Sequence, residues 1–172
     1  VPLAATNIAF NINMVAFMPM FGSGMAVSVL VGRYLGENRP DLAKRSAFSG
    51  FHLTLIYMIL VAAAYVGIPE LFIRPYAANS DPARFKDIFQ TTVFLLRFVA
   101  LYSIFDAMNL VFASAIKGAG DTRFVMVMLL GLSSVFFVIP VYTAVEILHL
   151  GLTTCWVIAT AYVALLGLCF FL

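Results

Sequence analysis

The sequence predicts an all-α integral membrane protein that folds as a bundle of five transmembrane helices. Of its 172 residues, 63% are hydrophobic and only 10% are charged, and the mean hydropathy is +1.04. A soluble domain would carry roughly 25% charged and roughly 45–50% apolar residues. Most of the charged residues lie in short segments that separate five long apolar runs. Lipid is therefore the expected solvent for most of the chain.

Each apolar run is long enough to cross a bilayer as a helix. A hydrocarbon core of about 30 Å requires about 20 apolar residues, and the runs lack the strict alternation of a membrane β-strand of about 9–11 residues. We treat residues 1–172 as a single partial membrane domain, because the chain begins at Val1 inside an apolar run and ends in another. The helices are predicted at approximately 1–33, 43–69, 86–117, 122–146 and 150–172.

Polar segments join these helices. The first connection is "RYLGENRPDLAKR" (33–45), and the second is the longer "ELFIRPYAANSDPARFKD" (70–87). The last three helices are joined by the short turns "KGAGDTR" (117–123) and "EILHLG" (146–151). These segments are rich in Gly, Pro, Asn and charge, which is typical of turns between helices.

Glycines and aspartates of the first and third connections are assigned structural roles. Glycine permits tight turns, and an Asp before a helix is a frequent N-cap. Asp41 is therefore expected to cap the second helix. The residues assigned to the turns are Gly32, Gly36, Gly118, Gly120 and, as the cap of the fourth helix, Asp121.

The cations of the connections predict the orientation. Lys and Arg are enriched in cytoplasmic loops. The second and fourth connections lie on one side and carry Arg74, Arg84 and Lys86, together with Arg97 if it belongs to that side, spread over a longer stretch than the cations of the opposite side. We therefore expect a multi-pass protein of the cell membrane, inner or plasma, with a cytoplasmic C-terminus. The side expected to be cytoplasmic carries Arg33, Arg39, Lys44, Arg45, Lys117 and Arg123.

The third apolar run contains a carboxylate at its centre. Nineteen residues separate Arg97 from Lys117, and Asp106 is the only charged residue among them. An ionised carboxylate at the centre of a membrane helix costs about 2.5–3.5 kcal/mol on insertion scales. Arg97 lies about 13 Å away along a helix, too far for direct pairing. Asp106 is therefore predicted to bind a cation or a proton. The alternative is a neutral Asp106 held in a static hydrogen-bond network.

Polar neighbours surround Asp106 on one face of its helix. Tyr102, Ser103 and Asn109 lie at spacings of three and four residues from it. Their hydroxyl and amide groups can coordinate a small cation or hydrogen-bond a protonated acid, so we predict that they line a cavity beside Asp106. In the first helix, Asn7, Asn11 and Met14 share a face and are predicted to line a cavity or to bond another helix; Asn13 lies elsewhere on that helix.

Enzyme chemistry and nucleic-acid binding are not expected. "GAGD" (118–121) matches the GxGD of intramembrane aspartyl proteases, but a pair of aspartates that shares a proton must lie about 3 Å apart. Asp121 belongs to a turn roughly 22 Å along a helix from Asp106. His52 and His149 are isolated in the sequence, and a net charge of +2 forms no basic patch.

No structural metal site or disulfide is expected either. Cys155 and Cys169 both lie in the last apolar run, where core or lipid-facing thiols are the expected state. No organic cofactor is predicted. The ligand expected at Asp106 is a small cation or a proton, since one carboxylate with hydroxyl neighbours suits both.

Two segments carry a resemblance to a known family. "VGRYLGENRPDLAKRSA" (31–47) resembles the loop after the second helix of each lobe in the multidrug and toxic compound extrusion (MATE) family. "YSIFDAMNLVFASAIKGAGDTRF" (102–124) is similar to the fourth helix of the C-terminal lobe and its following turn, most like the NorM-type branch. The spacing of the five helices fits helices eight to twelve of the family's twelve.

The resemblance implies an antiporter that exports cationic amphipathic drugs or toxins in exchange for Na⁺ or H⁺. Its two six-helix lobes would alternate access, with both termini cytoplasmic. The family's cation-binding aspartate on the tenth helix matches Asp106, and the tyrosine one turn earlier matches Tyr102. The same site draws on a glutamate of the seventh helix, which this sequence lacks. The expected partners are the lipid bilayer, the drug and the missing N-terminal lobe.

Two alternatives stay open from the sequence. A flippase of lipid-linked sugars would share the lobe architecture. Its cavity would be expected to be lined with cationic side chains, and no Lys or Arg of this sequence lies at mid-membrane depth. A non-transporting scaffold subunit would account for five helices and leave Asp106 unexplained.

Overall fold

The computed structural model describes the backbone of residues 2–77, 82–147 and 152–171. Side chains are described within 5–74, 89–147 and 153–171. Three residues used in the sequence interpretation, Arg84, Lys86 and His149, therefore lie outside the described side chains.

Every regular element in the described ranges is a helix. Among them, five spans are long and apolar enough to cross a membrane, which confirms the predicted fold class. These spans are Ala5–Gly36, Pro40–Gly67, Phe89–Gly118, Thr122–Ile147 and Thr153–Phe171. The helices are α1 (Pro2–Gly36), α2 (Pro40–Gly67), α3 (Pro69–Ala77), α4 (Pro82–Gly118), α5 (Thr122–Ser133), α6 (Ile139–Tyr142) and α7 (Leu152–Phe171).

The second connection is more ordered than the sequence predicts. Instead of a polar loop over 70–87, it contains the short helix α3 and the first turns of α4. A proline opens each of these helices, where its missing N–H costs no hydrogen bond. Glu70 in the first turn and Arg74 in the last turn of α3 also complement the helix dipole.

The fourth span is not a regular α-helix. It runs from α5 through a π-helical turn (Ser134–Val138), the short α6 and a second π-helical turn (Thr143–Ile147). We call Thr122–Ile147 the interrupted helix. Pro140 lies within it and lacks the N–H that a regular α-helix would use. The Thr143 hydroxyl donates to the Ile139 carbonyl at 2.6 Å, a carbonyl that also accepts the Thr143 backbone N–H, and such back-bonding frequently accompanies helix bends.

Helix α4 is the centre of the bundle. It packs against α1, α2 and α7. Within its most apolar window 44% of the residues are buried, compared with 6% for the interrupted helix. The face of α4 that packs against the other helices carries Asp106, which is partly buried, whereas Arg97 on the same helix is exposed.

Glycines let α1 and α4 approach closely. A Cβ added to Gly118 would collide with the backbone of Ser28, and one added to Gly32 would lie 3.0 Å from the Gly118 carbonyl. Gly32 therefore lies inside α1 as a packing residue, and its assignment to a turn is wrong. Gly36 is the last residue of α1, and Gly120 lies in the turn with a φ of +94°, which glycine tolerates best.

The two predicted caps have different outcomes. Asp121 does cap α5, because its Oδ1 accepts the Phe124 N–H at 3.0 Å. Asp41 does not cap α2: the N-cap is Arg39, which makes no side-chain cap bond, and the helix begins at Pro40. Asp41 lies within the first turn, where its charge favours the positive end of the helix dipole.

Candidate ligand-binding cavity around Asp106

A cavity of about 590 Å³ lies between α1 and the interrupted helix. Helices α4 and α7 supply the remaining two walls. A volume of this size falls within the range of about 300–1,000 Å³ that is usual for small-molecule sites. The lining residues are Thr6, Phe10, Asn13, Met14, Phe17 and Phe21 of α1, Tyr102 and Asp106 of α4, Phe137 and Val141 of the interrupted helix, and Cys155, Trp156, Ala159, Tyr162 and Val163 of α7.

Two side chains of α4, both with polar groups, line the cavity. Tyr102 and Asp106 are four residues apart, so both project from the same face of the helix onto the cavity. Tyr102 is buried and Asp106 is partly buried. The structure thus places both residues of the predicted cation- or proton-binding pair on one wall.

Asp106 has no partner of opposite charge among the described side chains. Arg97 on the same helix is exposed and pairs with no carboxylate there. The one ion pair formed in the described part of the chain joins Arg33 to Glu37 at 2.9 Å, at the end of α1. Asn109, one turn after Asp106, is close enough to offer its amide to the carboxyl group. The carboxylate therefore faces the cavity with its charge uncompensated by the protein side chains described.

A hydrogen bond joins the walls of the cavity. The Asn13 Nδ2 donates to the Tyr102 hydroxyl at 3.1 Å, which links α1 to α4 beside Asp106. Both side chains are buried, and Asn13 is only 6% exposed. The Asn13 carbonyl oxygen, Oδ1, is also buried and has no hydrogen-bond partner among the described residues.

Aromatic rings supply most of the remaining wall. Trp156 is the chain's one tryptophan. It stacks on Phe10 with ring centroids 5.5 Å apart and on Tyr102 with centroids 6.4 Å apart. Across the cavity, Phe137 of the interrupted helix packs on Tyr162 of α7 at 5.3 Å. The arrangement is an aromatic chamber with a single carboxylate, which suits an apolar molecule that carries a positive charge.

Only one of the predicted cavity-lining residues lies on this cavity. Met14 lines it. Asn7 and Asn11 are exposed and do not line it, although they share a helix face with Met14. Ser103 is fully buried and donates to the Val99 carbonyl of its own helix at 2.5 Å, so it faces the core. Asn109 is partly buried and lies off the wall, although it is near Asp106.

The sequence interpretation missed Asn13 and the aromatic residues. It grouped Asn7 and Asn11 with Met14 by helical spacing and set Asn13 aside, whereas α4 packs against the face that carries Asn13. No signal within α1 distinguishes these asparagines, because their roles depend on which face meets α4. The aromatic residues come from all four walls, so their convergence is a tertiary feature.

The remaining candidates for chemistry do not form a site in the described structure. Asp121 is occupied as the cap of α5 and lies in the turn after α4, away from the cavity that Asp106 lines. Cys155 lies on the cavity wall, Cys169 does not, and both are free thiols. Within the described residues, no group of three or more His, Cys, Asp or Glu side chains is arranged to hold a metal ion.

Comparisons with known proteins agree with this architecture. The MatE family profile matches residues 1–143. The "Probable multidrug resistance protein NorM" of Burkholderia mallei is 32% identical over 121 residues, covering 70% of this chain and 26% of that protein. The protein of the same name from Thermotoga maritima is 28% identical over 156 residues, covering 90% of this chain and 32% of that protein.

A third relative, the "Multidrug resistance protein NorM" of Burkholderia vietnamiensis, is 32% identical over 124 residues, covering 72% of this chain and 27% of that protein. The chain thus spans about a quarter to a third of the length of these curated relatives. The profile match covers well over half of the chain and includes Tyr102 and Asp106. This chain is a multi-pass membrane protein that belongs to the MatE family and is similar to its NorM-type members.

Proposed function

We propose that this chain forms most of one lobe of a cation-coupled antiporter that exports cationic amphipathic drugs or toxins by alternating access. The observation that carries the proposal is the aromatic cavity with Asp106 as its one charged wall residue among the described side chains. The names of the NorM relatives, which call them multidrug resistance proteins, support the same activity.

The chemistry of the cavity indicates the substrate class. Aromatic walls such as Phe10 and Trp156 bury apolar surface, and their ring faces attract organic cations. A buried carboxylate without a partner costs several kcal/mol, which a cationic ligand recovers. A neutral or anionic ligand would leave that charge uncompensated, so cationic amphipathic molecules are preferred.

Asp106 also supplies the coupling. We propose that its carboxylate, with the Tyr102 hydroxyl beside it, binds Na⁺ or H⁺ in one state and the cationic drug in the other. A ligand shifts a two-state equilibrium only through its different affinity for the two states. Competition for one carboxylate therefore converts ion entry into drug exit, with no organic cofactor required.

The proposed protein is larger than the described bundle. The NorM relatives are three to four times as long as the matched segment, so an N-terminal lobe is the expected partner for alternating access. The ends of α1 and α4 near Arg33 and Lys117 are rich in Lys and Arg, which favours a position of this end of the bundle on the cytoplasmic side of the cell membrane. The C-terminus would then also lie in the cytoplasm.

The cavity favours drug export over lipid-linked sugar transport. A flippase of anionic lipid-linked sugars would need cations in its cavity. Among the described side chains that line this cavity, none is Lys or Arg, and the one charge is negative. A scaffold subunit would not require an internal carboxylate at all.

Efflux by the full-length protein tests the proposal. In cells that lack their own drug pumps, we expect Asp106→Asn to reduce export of a fluorescent organic cation to the level of cells without the protein, at unchanged membrane expression. Asp121→Asn is the matched control, because an Asn also caps a helix, and it should export at the wild-type rate. Wild-type efflux in Asp106→Asn would refute the proposal.

A further inference from the structure

We propose that a groove between α1 and α2 binds an anionic phospholipid, with the lipid phosphate at Arg45 and an acyl chain along the apolar part of the groove. The groove has a volume of about 510 Å³. It shares no lining residue with the cavity that contains Asp106. The inference therefore goes beyond the proposed transport activity and does not depend on it.

Polar side chains gather at one end of the groove. Arg45, Ser46 and Ser49 line it from the first three turns of α2. Tyr34 lines it from the last turn of α1. Residues three and four positions apart on a helix are neighbours, so Arg45 and Ser49 lie side by side. These two residues are exposed, and Ser46 and Tyr34 are partly exposed, so all four are accessible to a ligand.

These side chains have hydrogen-bond donors that the described structure does not use. Elsewhere in the spans, the hydroxyls of Thr54 and Thr160 donate to the carbonyl four residues earlier. Among the described residues, Ser46 and Ser49 form no such bond, and Arg45 forms neither a hydrogen bond nor an ion pair. A guanidinium with hydroxyl groups beside it suits a phosphate, because phosphate oxygens accept several hydrogen bonds and pair with Arg in a bidentate manner.

The charge of this end of the bundle is complementary to an anionic lipid. Arg45 is the one charged residue among the described side chains that line the groove. The connections 33–45 and 117–123, which lie at this end, carry six cations and three carboxylates, a net charge of +3. Basic pockets between membrane helices are typical sites for anionic head groups. A zwitterionic lipid would bring its ammonium group to a groove whose described lining offers no carboxylate.

The remainder of the groove is largely apolar and follows the helices into the membrane span. Leu53 lies eight residues beyond Arg45, about 12 Å along α2 at about 1.5 Å per residue. Leu30 lines the groove from α1, and both leucines are exposed, so the groove opens on the surface of the described bundle. An acyl chain that lies there covers both leucines while the lipid phosphate stays at Arg45.

Contacts between α1 and α2 fix the shape of the groove. Gly50 lies against Val27, because a Cβ added to Gly50 would collide with the Val27 side chain. At the end of the groove away from Arg45, the Ser23 and Thr54 hydroxyls share a hydrogen bond of 2.8 Å. The two helices are thus held together along the groove, and a site that is already formed loses less entropy when a ligand binds.

Native mass spectrometry of the purified full-length protein tests the proposal, because it gives a dissociation constant for each added lipid. Wild-type protein should bind dioleoylphosphatidylglycerol at least about fivefold more tightly than dioleoylphosphatidylcholine, which has the same acyl chains and no net charge. In Arg45→Gln, binding of the anionic lipid should weaken by about tenfold, because a charge-assisted hydrogen bond is lost. Lys44→Gln is the matched control: Lys44 carries the same charge on the next residue, is exposed and does not line the groove. Its affinity should stay within about twofold of wild type, since exposed charges contribute little.

Two further comparisons test the position of the acyl chain. Ala26 lines the groove and is exposed, whereas Ala63 is exposed on α2 away from it. Ala26→Phe should fill the groove and weaken binding of the anionic lipid by about tenfold or more, because each displaced methylene group loses its burial. Ala63→Phe should bind like wild type. Glycerophosphoglycerol, the same head group without acyl chains, should bind at least about tenfold more weakly than the lipid for the same reason.

Four results would overturn the proposal. Equal losses in Arg45→Gln and Lys44→Gln would show that surface charge alone attracts the lipid, and equal binding of the two lipids by wild-type protein would remove the preference for an anionic head group. Unchanged lipid affinity in Ala26→Phe would place the acyl chain elsewhere. Binding of glycerophosphoglycerol as tight as that of the lipid would assign the groove to soluble phosphate esters.

Discussion

Asp106 and Asp121 lie fifteen residues apart, at the middle of α4 and just after its end, yet their surroundings differ in kind. Asp121 has its hydrogen-bond partner three residues away, in the backbone N–H of Phe124. Asp106 lies on an aromatic cavity without an ion-pair partner among the described side chains. A carboxylate that is satisfied locally stabilises the fold, whereas one left unpaired at depth is available for a ligand.

The same contrast extends to the structure around each aspartate. The turn near Asp121 is fixed by close packing, because Gly118 lies against the backbone of Ser28. The cavity near Asp106 is open toward an exposed face of α1, where Met14 is 69% exposed. Close packing near Asp121 thus stabilises the fold, whereas the cavity beside Asp106 leaves room for a ligand to enter.

The largest effect on stability is expected at the packed turn. Gly118→Ala places a methyl group into the Ser28 backbone, so the helices must separate, at a cost of roughly 1–3 kcal/mol in the free energy of unfolding. Gly131→Ala is the control: nothing lies within 4 Å of that position, and alanine favours a helix. Thermal unfolding in detergent measures both. Equal stability of the two variants would show that α1 and α4 do not meet as described.

A smaller effect is expected from the cap. Asp121→Ala removes the acceptor for the Phe124 N–H and should lower the free energy of unfolding by about 1 kcal/mol. Asp121→Asn retains a capping oxygen and should be within a few tenths of wild type. The affinity of both variants for an organic cation, measured by calorimetry, should equal that of the wild-type protein. A loss of affinity in Asp121→Asn would erase the distinction between the two aspartates.

The smallest effect is expected at Ser103, one turn before Asp106. Its hydroxyl is buried and bonds the Val99 carbonyl of its own helix. Ser103→Ala loses that bond together with the hydroxyl and gains helix propensity, so stability should change by less than about 1 kcal/mol. Drug efflux should match wild type. A strong transport defect would mean that Ser103 reaches the ligand after all, as its spacing from Asp106 suggests.

The sequence alone supported much of the fold and the centre of the site. Five apolar runs of sufficient length predicted the five spans, and the cost of a charge in lipid singled out Asp106. Helical spacing within α4 then placed Tyr102 beside it, because i and i+4 side chains share a face. These inferences use one helix at a time, where periodicity is enough.

What the sequence did not predict depends on contacts between helices. The choice of Asn13 over Asn7 and Asn11 follows from the face of α1 that meets α4. The aromatic chamber draws residues from four helices, and the π-helical turns near Pro140 arise where the hydrogen-bond ladder is disrupted. Gly32 looked like part of a turn because its packing partner, Gly118, is far away in the sequence.

The most direct test of the account is the affinity of the purified protein for a cation and for its neutral isostere. The ligands are N,N,N-trimethyl-2-(1-naphthyl)ethylammonium and its neutral analogue in which carbon replaces nitrogen, compared in wild-type protein, Asp106→Asn and Asp121→Asn by calorimetry. Because removal of one partner from a buried ion pair is costly, the account predicts roughly hundredfold weaker binding of the cation in Asp106→Asn alone. Binding of the neutral analogue should be unchanged in Asp121→Asn and should not weaken in Asp106→Asn, because the amide leaves no buried charge uncompensated. Equal cation affinity in wild type and Asp106→Asn would contradict the account.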